Sequence, residues 1–181
     1  AGIVAGGPYG CAETWWSRWG LPTFGGWVNV GRATGTCMSA TAGTPDGEAL
    51  AARAAALAAG GRIDPIADVR GDRVYLFHGE ADSIVAQAPV TAAATFYDEL
   101  GVPAADLRTV LSLPDGKRAG HALVVVADGS ACGLNGPPFI DACGYDQAGE
   151  LLAWIYPDID RGRGPGPATG ERLVFDQTEF L

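Results

Sequence analysis

The chain is poor in positive charge. Its 181 residues include one lysine, Lys117, and eleven arginines against 21 acidic residues, for a net charge of −9. That balance argues against nucleic acid and against anionic membrane surfaces, since both are bound through basic patches. Long apolar runs are missing too, and nothing approaches the ~18 consecutive apolar residues of a membrane-spanning helix. No C-x-x-C pair is present, which disfavours zinc and dithiol redox chemistry. Histidine is scarce, with two residues, His78 and His121. No charged, apolar, small-residue leader opens the chain, and Ala1 is not a methionine, so a mature or trimmed product is expected. No G-x-S-x-G elbow, the strained turn that presents a nucleophilic serine, occurs anywhere.

What is there describes a folded domain. Hydrophobic residues make up 48% and charged residues 18%, a composition that can form a core and is too apolar for disorder. A chain of this length buries roughly 70% of its unfolded surface. The four cysteines, Cys11, Cys37, Cys132 and Cys143, form an even set. Two disulfides in a secreted or periplasmic protein are expected. Of the three possible pairings, the local one, Cys11–Cys37 with Cys132–Cys143, is favoured, each bond closing a loop poor in regular structure.

Periodicity organises the chain. AGIVA (1–5) reads as a buried strand, and residues 6–43 as a Gly/Trp/Thr-rich stretch of weak periodicity. TPDGEALAARAAALAAGG (44–61) carries helix start and stop signals at its two ends. RVYLFHG (73–79) is an expected strand, QAPVTAAATFYDELG (87–101) a helix, and LRTVLSL (107–113) a second strand. ALVVVA (122–127) fits a strand or a packed loop, and YDQAGELLAWIY (145–156) an amphipathic helix stopped by Pro157. Residues 161–170 (RGRGPGPATG) are linker-like, and residues 171–181 read as a terminal strand. This repeated βα order implies an α/β fold with parallel strands and covering helices. A first unit over residues 1–160 is expected to carry the chemistry, at the carboxyl ends of its strands.

Two residues stand out there. Asp82 follows the strand RVYLFHG in a short turn, and His121 follows LRTVLSL and the Gly-containing turn DGKRAGH. Their separation of 39 positions holds one helix and one strand, the crossover that brings parallel strands side by side. An acid and a histidine on neighbouring turns suit a general base and the group that orients it. Glu80 is the competing acid, and His78 at the strand end is better read as packed or bonded to backbone. A metal on His78, Glu80 and Asp82 lacks further ligands. No cofactor is expected.

A nucleophile is harder to find. The serines are Ser17, Ser39, Ser83, Ser112 and Ser130. Gly129-Ser130-Ala131-Cys132-Gly133 comes nearest to an elbow, but it lacks the flanking strand and helix. AGGPYG (5–10) lacks the ending of a phosphate loop and reads as a tight turn. The aromatic cluster Trp15, Trp16, Trp19, Phe24 and Trp27, placed in a loop, is either a mini-core pinned by Cys11–Cys37 or an apolar docking wall for a hydrophobic substrate.

Several stretches together resemble the extracellular polyhydroxybutyrate depolymerase family of α/β-hydrolases. These are GIVAGGPYGCA (2–12), Cys37-Met38, GRIDPIADVRGDRVYLFHGEADSIV (61–85), AGHA (119–122), PPFIDACGYDQAGELLAWIYP (137–157) and FDQTEF (175–180). The resemblance implies that Asp82 is the acid and His121 the base of a Ser-His-Asp triad. It also implies that Cys11, Cys132 and Cys143 occupy disulfide positions. In the family the GIVAGGPY-like strand follows the nucleophile elbow, and in circularly permuted members the FDQTEF-like stretch leads into a segment donating to the oxyanion. The chain therefore resembles the C-terminal half of an α/β-hydrolase fold, expected to lack the serine and the oxyanion hole. LVVVADG after His121 is more apolar than the family pattern. Three functions follow as expectations: a polyester hydrolase completed by a missing segment or second chain, a silent secreted binding domain on the same fold, or a hydrolase of another polymer or small ester.

Overall fold

The computed structural model describes residues 1–13 and 22–158, together with positions 174, 176 and 178. Trp15, Trp16, Trp19, Ser17, the linker-like stretch 161–170 and most of the expected terminal strand lie outside the described residues.

The centre is a parallel three-stranded sheet in the order β1 (Gly2–Val4), β2 (Val74–Phe77), β3 (Leu107–Val110). All four residues of β2, Val-Tyr-Leu-Phe, are buried, as a central parallel strand covered on both faces requires. Alternation divides them between two cores. Tyr75 and Phe77 pack with Leu113, Ala119, Val124 and Cys143, while Val74 and Leu76 pack with Val90, Ala93 and Val102. Each of these burials stabilises by about 1.5–3 kcal/mol. β1 differs from the buried strand expected of AGIVA: it is three residues long and partly exposed, because among the described strands it pairs only with β2.

Among the described residues five α-helices accompany the strands: α1 (Pro22–Gly35), α2 (Gly47–Ala59), α3 (Ala67–Arg70), α4 (Gln87–Glu99) and α5 (Gln147–Ile155). α2 starts where Asp46 accepts a bond from Ala49 N at 3.0 Å, a side-chain N-cap. Its small Ala face lies against α4, so close that a Cβ on Gly47 would come within 2.3 Å of Ala92 O. α1 corrects the reading of residues 6–43 as irregular. Four glycines and a β-branched content weaken its intrinsic propensity, but tertiary ties hold its C-terminal end. Arg32 Nε donates to Cys11 O at 2.7 Å, and Cys11 is bonded to Cys37 just beyond the helix. Trp27 is thus helical, not in a loop, and 78% exposed.

A second parallel sheet, in the order β4 (Leu123–Val125), β6 (Ile140–Ala142), β5 (Ser130–Ala131), follows the first. α5 links the two sheets: Trp154 Nε1 donates to Val74 O at 2.9 Å, and Gln147 Oε1 accepts from Val124 N at 2.7 Å. Both disulfides form as the sequence suggested, with Cα separations of 6.0 Å for Cys11–Cys37 and 4.9 Å for Cys132–Cys143. The second does not close an irregular loop. It ties residues directly after β5 and β6, two neighbouring strands.

Candidate active site

Past β2 the chain turns through His78, Gly79, Glu80 and Ala81 to Asp82, whose side chain is 1% exposed. One carboxylate oxygen, Oδ1, accepts from Ile84 N and Val85 N, both at 2.8 Å. Two backbone donors on one oxygen fix the rotamer and leave Oδ2 aimed elsewhere. His121 meets it there, with Nδ1 2.9 Å from Oδ2. A carboxylate can only accept, so Nδ1 carries a proton, and in the neutral ring Nε2 keeps its lone pair. The imidazole side chain is 31% exposed, and among the described residues nothing hydrogen-bonds Nε2. Asp82 and His121 are therefore brought together as their sequence positions suggested.

The route to this contact was not the expected one. His121 does not sit just past a strand end, since β3 stops at Val110 and residues 111–120 form a long return loop. That loop crosses the Asp82 turn by backbone contact. Ala81 N donates to Ala119 O at 2.8 Å. A Cβ on Gly79 would come within 2.4 Å of Gly120 O, and one on Gly120 within 2.5 Å of Leu134 O. Three backbone segments thus stack with no room for side chains, a use of glycine independent of its φ freedom.

Two polar residues that carry no sequence signal of catalysis hold this stack. Asn135 Oδ1 accepts from Ser83 N at 3.0 Å and His121 N at 2.9 Å. Asp141 on β6 is fully buried, and its Oδ2 accepts from Gly120 N at 3.2 Å and Gly133 N at 2.9 Å. Its Oδ1 has no partner among the described residues. A carboxylate inside the apolar strand Ile140–Ala142 was the available signal for Asp141. Asn135 lies in the Gly/Pro-rich run GLNGPP, where an asparagine carries only the pattern of a turn residue.

The competing candidates go elsewhere. Glu80 pairs with Arg118 at 3.3 Å on the surface. His78 is 4% exposed, and its Nε2 donates to Val85 O at 2.9 Å, the backbone satisfaction anticipated for it. With β2 ending at Phe77, His78, Glu80 and Asp82 share no strand face, and no group of three metal-ligating side chains occurs among the described residues. Ser130 lies in β5, opposite Asp141, not on a strand-to-helix elbow. Ser39 bonds Thr34 O at 2.8 Å and Thr41 Oγ1 at 2.8 Å. None of the described serines hydrogen-bonds His121. A cleft of about 800 Å³ between α2 and α4, lined by Thr44, Gln87, Thr91 and Thr95, includes neither Asp82 nor His121. The site is marked by side-chain geometry. Beside His121 the ring of Phe139 stands edge-on, with centroids 5.9 Å apart, and it is 43% exposed at φ +60°. A bulky residue in the left-handed region is rare, and such strain concentrates at functional sites.

No helix among the described residues is long and apolar enough to cross a membrane. No protein-family model matches the chain. Individual proteins do match. The chain is 36% identical, over all 181 of its residues, to a poly(3-hydroxybutyrate) depolymerase of Delftia acidovorans, covering 33% of that protein. It is 24% identical over 180 residues to a polyhydroxybutyrate depolymerase of Talaromyces funiculosus, covering 45% of it. Among solved structures, the PHB depolymerase from Penicillium funiculosum superposes with a TM-score of 0.70 at 26% identity, over 97% of this chain and 48% of that one. A PHB depolymerase complexed with an R3HB trimer matches equally, at a TM-score of 0.70. The chain thus spans between a third and a half of the length of these relatives. With parallel sheets, covering helices and matches that run its full length, the chain is similar throughout to one part of the polyhydroxybutyrate depolymerases and shares their α/β-hydrolase type of fold.

Proposed function

We propose that this chain is the acid- and base-bearing part of a secreted carboxylic ester hydrolase that cleaves polyesters of the poly(3-hydroxybutyrate) type. The observation that carries the reading is the contact of His121 Nδ1 with the buried carboxylate of Asp82 at 2.9 Å, with Nε2 left open. In this reading Nε2 removes the proton from a serine hydroxyl as its oxygen attacks the ester carbonyl. The same nitrogen then returns the proton to the departing alcohol oxygen, and the cycle repeats with water to release the acid. Asp82 holds the ring in its Nδ1–H tautomer and stabilises the imidazolium as it forms. Phe139 supplies an apolar wall beside the base for a hydrophobic chain. The two disulfides fit an oxidising compartment.

The serine and the oxyanion donors are assigned to sequence outside these 181 residues. That assignment is supported by the absence of any G-x-S-x-G in the chain and of any bond from a described serine to His121. The test uses the full-length protein that contains this chain. His121→Ala and Asp82→Asn should each lower turnover of a chromogenic butyrate ester and of poly(3-hydroxybutyrate) film on the order of 10⁴-fold. A serine-directed phosphonate should label a serine outside the stretch from Ala1 to Leu181. Activity within tenfold of wild type in either variant overturns the acid–base assignment. Phosphonate labelling of Ser17, Ser39, Ser83, Ser112 or Ser130 overturns the origin of the nucleophile. Polyester binding with no hydrolysis by the full-length protein would make it a silent binding domain instead.

A further inference from the structure

We propose that Asn135 is a positioning residue that clamps the Asp82 turn to the His121 turn and so sets the geometry of the acid–base pair. The inference rests on the hydrolase reading above. Its basis is the use of the whole side-chain amide: Oδ1 accepts from Ser83 N and His121 N, and Nδ2 donates to Ala81 O at 3.0 Å and Gly133 O at 3.2 Å. A primary amide offers two lone pairs and two N–H groups, and here all are engaged. The orientation is unambiguous, because a flipped amide would point donors at donors and acceptors at acceptors.

An asparagine in a Gly/Pro-rich loop commonly serves its own turn, and the Gly133 bond does so. The other three bonds reach 14, 52 and 54 residues along the chain. They land on the residue before Asp82, the residue after it, and the backbone of His121 itself. Besides the Asp82–His121 bond itself, the two turns meet through the Ala81–Ala119 bond, the glycine stack and the exposed Glu80–Arg118 pair. Asn135 adds an anchor at both residues flanking Asp82 and at the backbone of His121 itself, which restrains one turn against the other. Gly133, bonded by both Asn135 Nδ2 and Asp141 Oδ2, ties this clamp to β6 and to the adjoining Cys132–Cys143 disulfide. A misplacement of about 1 Å at the reacting groups can cost 10²-fold in rate, so such an anchor has a catalytic consequence although it touches no substrate.

The test again uses the full-length enzyme. Asn135→Ala should lower kcat by ~10–100-fold with KM within about threefold, since chemistry and not ester binding depends on the pair. Asn135→Asp, which keeps both acceptor contacts and loses both donors, should recover at least about threefold of that loss. The proton NMR spectrum supplies a readout independent of activity. The downfield Nδ1–H resonance, assigned by its loss in His121→Ala, should broaden or vanish in Asn135→Ala, while the Nε2–H resonance of His78, bonded to Val85 O, persists. Wild-type kcat in Asn135→Ala, or a loss that only tracks the folded fraction with the resonance intact, overturns the proposal. Should Asn135→Ala not fold, Asn135→Asp decides alone: reduced kcat at unchanged KM with a broadened resonance supports the clamp, and unchanged values refute it. If Asp82→Asn and His121→Ala leave hydrolysis intact, the hydrolase reading itself fails. If they abolish it while Asn135 proves indifferent, only the clamp fails.

Discussion

Between Val74 and Phe77 every side chain is buried in hydrocarbon, and the backbone is satisfied by parallel ladders on both sides. Between residues 111 and 146 the strands are two or three residues long. There the chain is held by Asn135, Asp141 and Gln147 bonding to backbone, by glycine-to-backbone approach, and by the Cys132–Cys143 bond. The first region is non-directional and tolerant in detail; its stability scales with apolar area. The second is directional, and each bond fixes a position. Asp82 issues from the first region and His121 from the second, so the pair sits at the junction of the two modes. A site needing sub-ångström placement gains more from bonds that specify geometry than from additional apolar burial.

The comparison can be broken from the hydrocarbon side. Phe77→Ala, at a side chain 1% exposed, should cost about 3–5 kcal/mol in urea denaturation, while kcat of the remaining folded protein stays near wild type. A large fall in kcat at full folding would show that the sheet core also sets the site. The disulfides sharpen the contrast. Cys11 and Cys37 are 26 residues apart and Cys132 and Cys143 11 apart, so loop entropy gives similar losses of roughly 3 kcal/mol on replacing either pair with alanines. Hydrogen exchange should nevertheless differ. Removing Cys132–Cys143 should speed exchange at Gly120, His121 and Gly133, and removing Cys11–Cys37 should not. Equal acceleration at those amides by both variants would erase the distinction.

The smallest expected effect concerns Tyr75. Its phenol is pushed well above the ordinary tyrosine range, first by burial and then by the hydrogen bond to Tyr145, whose hydroxyl is 3.0 Å away. Folding therefore favours the protonated form. The unfolded phenol ionises near pH ~10, so the contribution is complete below that pH and is lost as pH rises beyond it. Tyr75→Phe should cost no more than ~1 kcal/mol at neutral pH and should flatten the alkaline limb of stability. An alkaline limb as steep as wild type would place the titration elsewhere.

Apolar run length and periodicity were enough to mark β2, α2, α4 and α5, because each is a local pattern of residues that must face a core. α1 escaped, since its glycines argue against a helix and only the Arg32–Cys11 tie and the adjoining disulfide argue for one. The Trp cluster belonged to that same stretch, and of its tryptophans only Trp27 is among the described residues, exposed on the helix. His121 was readable as one of two histidines in a Gly-containing turn, and Asp82 as an acid in the turn after a recognisable strand. The path between them was not, since a ten-residue loop carries no periodicity.

By itself the sequence determined which groups can do acid–base chemistry, which cysteines can pair locally and where the main strand and crossover helix lie. Each of these depends on residue identity or on spacing along one element. Tertiary structure alone decided that Asn135 and Asp141 serve the site and that Gly79 and Gly120 must lack side chains. Those roles come from backbone brought in from up to 54 residues away, and separation in space is the one quantity a linear pattern does not carry.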